Sequence, residues 1–200
     1  MGNREFIQNF LSKIRKITKD ISEEDIDRVV EILFEAWERG DQVFTCGNGG
    51  SASTASHFAC DLLKNTAVAN KRGLRAQCLN DNIPLMSALI NDEGFDNLFY
   101  EQLKTLFRKG DVLICISVHG GAGRDKAGPW SQNLLKAMKY AREAGGKTIG
   151  LSGFDGGPMK EIADACIVVP INSTLHVESF HLILEHLICG CLKEKIKENC

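Results

Sequence analysis

Gln42-Val43-Phe44-Thr45-Cys46-Gly47-Asn48-Gly49-Gly50-Ser51-Ala52-Ser53 is the stretch that decides how this chain folds. Its first five residues, rich in β-branched and aromatic side chains, read as a short strand. From Ala52 to Lys64 the apolar residues recur at helical spacing, and Ser51 or Ser53 is placed to cap that helix. A strand that runs into a helix through glycines predicts a turn whose N–H groups and helix dipole face an anion. A tight strand-to-helix turn with no ligand fits the same residues. The spacing is neither a Walker A sequence nor a Gly-x-Gly-x-x-Gly fingerprint, so the turn alone names no nucleotide.

The same alternation continues outward. Residues 4–38 read as two helices, the second capped by Ser22 with Glu23, Glu24 and Asp25 in its first turn. Strands are expected at 42–46, 74–79, 111–117, 147–152 and 165–169, with helices at 52–64, 82–90, 94–107, 132–144, 158–163 and about 175–197. Alternation of this kind implies a parallel sheet with helices on both faces. The unbroken run Asp111-Val112-Leu113-Ile114-Cys115-Ile116-Ser117 suits a strand covered on both sides. The expectation is a single domain over 1–200: N-terminal helices at 4–38, a sheet core at 42–170 and a C-terminal helix at 175–197.

Bulk properties narrow the class. The chain has 200 residues, 44% hydrophobic and 25% charged, enough to bury a sizeable core without low-complexity tracts. A net charge of −2 with no basic cluster gives no reason to expect nucleic-acid binding. No run reads as a membrane span, and the first residues are not signal-like. The 8 cysteines form no Cys-x-x-Cys pair, so they read as free thiols of a reducing, cytoplasmic setting.

Ligands of parallel α/β folds bind beyond the carboxyl ends of the strands. That rim gathers three turns: Gly47 to Ser53, Ser117-Val118-His119-Gly120-Gly121-Ala122-Gly123, and Ser152-Gly153-Phe154-Asp155-Gly156-Gly157. The second is the expected phosphate cradle, since Ser117 closes a strand and Ser131 begins a helix. The third reads better as a surface turn. His57 and Asp61 stand one helical turn apart, a spacing that suits metal ligation, a carboxylate-oriented base, or a plain surface pair. The last helix offers Glu178, His181, Glu185 and His186 in an apolar stripe. Glu178 and His186 only roughly share a face, His181 and Glu185 form their own i,i+4 pair, and periodicity does not choose between them.

Gly47-Asn48-Gly49-Gly50-Ser51 followed by His57-Phe58-Ala59 resembles the sugar isomerase (SIS) domain, and within it the phosphoheptose isomerases and their replication-initiator-associating relatives. Asn91-Asp92-x-Gly94-Phe95, Gly110-Asp111-Val112-Leu113, Ser152-Gly153-x-Asp155-Gly156-Gly157, Ala163-Asp164 and the helix carrying His181 and His186 match in the same order, over about residues 25–196. The resemblance implies a five-stranded parallel sheet in a three-layer α/β/α sandwich, a homotetramer with sites between subunits, and aldose–ketose isomerisation of a phosphorylated sugar through an enediolate. It places substrate contacts on Asn48, Gly49, Gly50, Ser51, Asn91, Asp92, Ser117, Val118, His119, Ser131 and Glu178. It places zinc or another divalent metal on His57, Asp61, Glu178 and His186, and the acid/base pair on Asp61 and His186.

Four departures fall at that site. Asp61 and Glu178 stand where the family usually has glutamate and glutamine, which makes the set Asp/Glu/His/His more anionic and more attractive to a divalent metal. Ser117-Val118-His119-Gly120 replaces Ser-Thr-Ser-Gly, with two hydroxyls lost. An insertion over Gly121 to Trp130 brings Arg124 and Lys126, which either replace those hydroxyls or belong to a solvated surface loop. The competing functions are epimerisation or isomerisation of another phosphosugar, and a non-catalytic module that senses a phosphosugar or binds a protein. The retained His57, Asp61, Glu178 and His186 argue for an enzyme.

Overall fold

The computed structural model describes residues 2–68, 71–121 and 131–199. The elements run α1 (Asn3–Asp20), α2 (Glu23–Arg39), β1 (Gln42–Gly47), α3 (Gly50–Lys64), β2 (Arg75–Cys78), α4 (Ile83–Glu93), a 3-10 turn (Phe95–Asn97) and α5 (Leu98–Leu106). There follow β3 (Val112–Ile116), α6 (Gln132–Glu143), β4 (Lys147–Gly153), α7 (Gly157–Ile162), β5 (Ala165–Val169) and α8 (Thr174–Glu198).

The five strands form one parallel sheet in the order β2-β1-β3-β4-β5. Alternate residues of one strand feed opposite layers. In β3, Val112, Ile114 and Ile116 join the α1, α2, α3 and α8 side, where Leu33, Phe58, Leu184 and Ile188 are buried. Leu113 and Cys115 join the α5, α6 and α7 side with Phe99, Leu134 and Met138. All five β3 residues are buried, as the unbroken apolar run requires. This is the α/β/α sandwich expected.

Local chemistry sets the boundaries. Ser22 Oγ accepts from the Asp25 N–H at 3.1 Å, and three acids occupy the first turn of α2. Asp111 binds the sheet at the end away from the site, its carboxylate accepting from the Gln42 and Arg108 N–H groups at 2.8 and 2.7 Å. Two expectations need correction. Neither Ser51 nor Ser53 caps α3: the helix starts two residues earlier, Gly49 is its N-cap, and no side chain bonds there. The helix expected over 94–107 is a 3-10 turn followed by α5, because the turn starts at Gly94 with φ +82°.

By length and composition, α8 is long and apolar enough to cross a membrane, but half of that segment is buried inside the fold. Its buried residues Val177, His181, Leu184, Glu185, Ile188 and Leu192 make the seam of a core helix.

Candidate functional site

β1 continues to β2 on one side of the sheet, whereas β3 leads to β4 and β5 on the other. The order therefore reverses between β1 and β3, and the crevice beyond their carboxyl ends is where such a sheet can take a ligand. A cavity of about 430 Å³ lies there, lined by Asn48, Gly49, Gly50, Ser51, Ser117, Val118, His119, Ser131 and Glu178 among others. Nine sequence-selected residues thus meet in one place.

Backbone packing shapes this cavity. A Cβ on Gly47 would lie 2.5 Å from the Ser51 carbonyl, so only glycine lets the first turn of α3 press against the strand end. Ser51 and Ala52 spend their N–H groups on the Asn48 and Gly49 carbonyls at 3.1 and 3.0 Å. The Glu178 carboxylate faces the same helix start: a Cβ on Gly50 would sit 2.7 Å from its Oε1. The positive end of the α3 dipole therefore already has an acidic neighbour.

The second turn is held differently. Ser117 Oγ accepts from the Gly121 N–H at 3.3 Å, and the Ser117 carbonyl accepts from Gly120 at 3.2 Å. The third turn does not line the cavity but backs this one. Met159 N–H donates to the Gly120 carbonyl at 2.9 Å, and a Cβ on Gly120 would come within 1.8 Å of the Gly156 oxygen. His119 packs on Phe154, ring centroids 4.2 Å apart. Its expectation as a surface turn missed this support.

Sequence reasoning missed two asparagines. Asn133, fully buried, exchanges hydrogen bonds with Asn48 at 3.0 and 2.9 Å, and Asn48 also donates to Ser131 Oγ at 3.3 Å. Asn80 accepts from the Gly47 N–H at 3.1 Å and donates to the Gly47 carbonyl at 3.0 Å. Asn133 follows Gln132 at the polar start of α6, and no local pattern singles it out. Asn91 and Asp92 are not brought to the cavity; they lie exposed on α4, Asn91 donating to Asp92 at 2.7 Å. Arg124, Lys126 and Trp130 lie outside the described residues.

A second group forms where α3 packs on α8. His57 and Asp61 come from α3, Glu185 and His186 from α8, and one ligand atom from each lies within 4.8 Å of the others. His57 Nδ1 is 2.9 Å from Glu185 Oε1, His57 Nε2 is 3.8 Å from Asp61 Oδ1, and His186 Nε2 is 3.6 Å from Asp61 Oδ2. The imidazoles meet edge to face at 5.0 Å. Both histidines are about half exposed, with Asp61 and Glu185 buried beneath them.

Three of the four residues expected to hold a metal come together here, and the fourth member of this group is Glu185. Eight residues of helix separate Glu178 from His186, about 12 Å along the axis and some 80° around it, so Glu178 faces the cavity instead. Glu185 Oε1 has the His57 ring nitrogen 2.9 Å away without a well-aligned hydrogen bond, and Oε2 has no partner among the described residues. Burial, then the Asp61 charge, push the Glu185 carboxyl up to about 8. Two imidazoles with two carboxylates, one of them orphaned, are a donor set that fits a divalent ion such as zinc. One turn earlier, His181 is buried and donates from Nε2 to the Ser152 carbonyl at 3.1 Å, with burial holding its pKa down at about 4.

Comparisons with known proteins place the sequence and the fold among sugar isomerases. Residues 5–153 match the SIS domain family. The phosphoheptose isomerase of Aliarcobacter butzleri is 37% identical over 95% of this chain and 96% of its own. The lincomycin biosynthesis protein LmbN of Streptomyces lincolnensis is 38% identical over 92% of this chain and 67% of its own. Among solved structures, the phosphoheptose isomerase GmhA of Neisseria gonorrhoeae superposes with a TM-score of 0.83 at 28% identity, covering 96% of each chain.

Proposed function

We propose, for a chain that belongs to the SIS domain family and is an aldose–ketose isomerase of sugar phosphates, that its substrate is a heptose phosphate of the sedoheptulose 7-phosphate type. The observation that carries this reading is the sharing of one helix. α3 walls the cavity with Gly50 and Ser51, and a few turns later presents His57 and Asp61 to His186. The phosphoheptose isomerases among its relatives supply the sugar's size.

In this reading the phosphate sits against the 117–121 turn, since the carboxylate of Glu178 already faces the start of α3. Asn48, held by Asn133, and Glu178 bond sugar hydroxyls. Of Asp61 and His186, one takes the proton from the carbon next to the carbonyl, leaving an enediolate. The other moves a proton between the two oxygens, and return of the first proton to the neighbouring carbon completes the exchange of aldose and ketose. A divalent ion, zinc in our reading, would polarise the carbonyl and hydroxyl oxygens when bound by the histidine and carboxylate group.

Assembly as a homotetramer with sites between subunits is supported by exposed apolar residues: Phe6, Ile7 and Leu11 on α1, Ile83 and Ile90 on α4, Leu182 and Leu187 on α8. Asn91 and Asp92 would then serve a neighbour's cavity. A cytoplasmic setting is supported by seven described cysteines that are all free.

The test is turnover by the purified chain on a panel of pentulose, hexulose and heptulose phosphates. A preference of at least about tenfold in kcat/KM for the heptulose is expected. A preference for another phosphosugar would support the second reading, which the altered 117–120 turn favours. Inertness on every ketose phosphate would overturn both.

A further inference from the structure

We propose that His176 is a positioning residue: it fastens the first turn of α8 to α1, and so holds Thr174 and Glu178 in the wall of the cavity. This rests on the reading that the cavity takes the sugar phosphate, and extends it to a histidine that belongs neither to the cavity lining nor to the group between α3 and α8.

The start of α8 is built unusually. Ser173 is the N-cap, yet its side chain bonds no N–H of the first turn. A capping serine would take the N–H two or three residues on. Here the Ser173 hydroxyl lies instead 2.7 Å from Nδ1 in the ring of the third residue on, His176. The other ring nitrogen, Nε2, lies 3.3 Å from the Phe10 carbonyl, 166 positions away in sequence. A carbonyl only accepts, so Nε2 carries the hydrogen and Nδ1 accepts from the serine. The ring also stacks on that of Phe10, centroids 4.1 Å apart. An imidazole only 4% exposed thus spends both nitrogens and a face on joining this turn to a helix from the other end of the chain.

The turn has three duties on three sides. Val177 packs on the end of β4, where a Cβ on Gly153 would come within 2.4 Å of its Cγ2. Thr174 and Glu178 line the cavity. His176 faces α1, whose one buried residue among those described is Ile17. Apolar packing such as that of Val177 is non-directional, and leaves the turn free to rotate about its axis. Such a rotation would swing Glu178 along the cavity wall. The two bonds of His176 are directional and oppose it.

In the full chain, His176→Leu keeps a side chain of similar bulk and loses both bonds, whereas His176→Gln keeps a donor for the Phe10 carbonyl. His176→Leu is expected to raise KM for sedoheptulose 7-phosphate about tenfold with kcat within about twofold of wild type, and His176→Gln to recover most of that loss. Amide hydrogen exchange followed by mass spectrometry gives a readout independent of turnover. In His176→Leu the segment 172–180 should exchange about tenfold faster, with 184–196 unchanged. Phe10→Ala should also speed exchange over 172–180, although the substitution lies on α1.

Wild-type KM and wild-type exchange over 172–180 in His176→Leu would overturn the proposal, as would an effect of Phe10→Ala confined to α1. Faster exchange across the whole sheet, with kcat and melting temperature falling together, would make His176 a plain core residue and overturn it too. Failure of the wild type to turn over sedoheptulose 7-phosphate would sink the substrate reading alone, and the exchange measurements would still decide whether His176 holds the turn.

Discussion

The cavity at the tips of β1 and β3 is built chiefly of backbone, whereas the group between α3 and α8 is built of side chains. In the first, turns are packed so closely that the Gly47 and Gly120 hydrogens touch neighbouring main chain. In the second, residues more than a hundred positions apart in sequence meet only because two helices pack. A backbone site depends on the exact path of a turn and tolerates little added volume. A side-chain site depends on one or two functional groups, and can lose its chemistry with its shape intact.

That contrast can be broken at several points. Asp61→Ala and His186→Ala should each lower kcat by about a thousandfold or more, with far-ultraviolet circular dichroism unchanged. Near-normal turnover in either variant would remove that residue from the acid/base pair.

His181 stands between the two regions, borne by α8 but fastened to the end of β4. Its folded pKa of about 4 lies below the ordinary 6.5, so the unfolded chain binds the proton more tightly. The stability contributed by the neutral ring is full above pH 6.5 and is lost as pH falls toward 4, by on the order of 3 kcal/mol. Glu185, whose pKa is raised, acts in the opposite sense. The difference in urea midpoint between wild type and His181→Gln across that pH range isolates the histidine, and a pH-independent difference would refute the assignment.

Gly120→Ala should cost about a hundredfold in kcat/KM by moving the 117–121 turn on the order of 1 Å, with a lower melting temperature. Asn133→Ala should raise KM about tenfold with kcat nearly unchanged, since Asn48 loses partners worth about 1 kcal/mol each. A drop in kcat without a change in KM would instead put Asn48 in the chemistry.

The same contrast explains what the sequence made legible. The sheet, its order of elements and the 47–51 and 117–121 turns could be read because strand runs and glycine clusters are local signals. Ser51 and Ser53 misled, since a serine near a helix start looks like a cap whether or not the helix begins there; here Gly49, a position that no capping preference singles out as strongly, takes that place. That Glu185 lies beside His57 while Glu178 lines the cavity could not be read, because helical periodicity ranks residues along α8 but says nothing of which face α3 covers. Asn133 and Asn80 escaped notice because their role is to hold a turn distant in sequence, and only the fold reveals the pairing.

α3 also fixes a length. From Gly50 at the cavity wall to His57 is seven residues of uninterrupted helix, a rise of about 10 Å that thermal motion of side chains hardly alters. A molecule anchored beside the wall and transformed beside the histidine must reach across that interval. In the proposed reading the helix therefore sets a fixed spacing between the cavity wall and the histidine group, against which the reach of a bound sugar is measured.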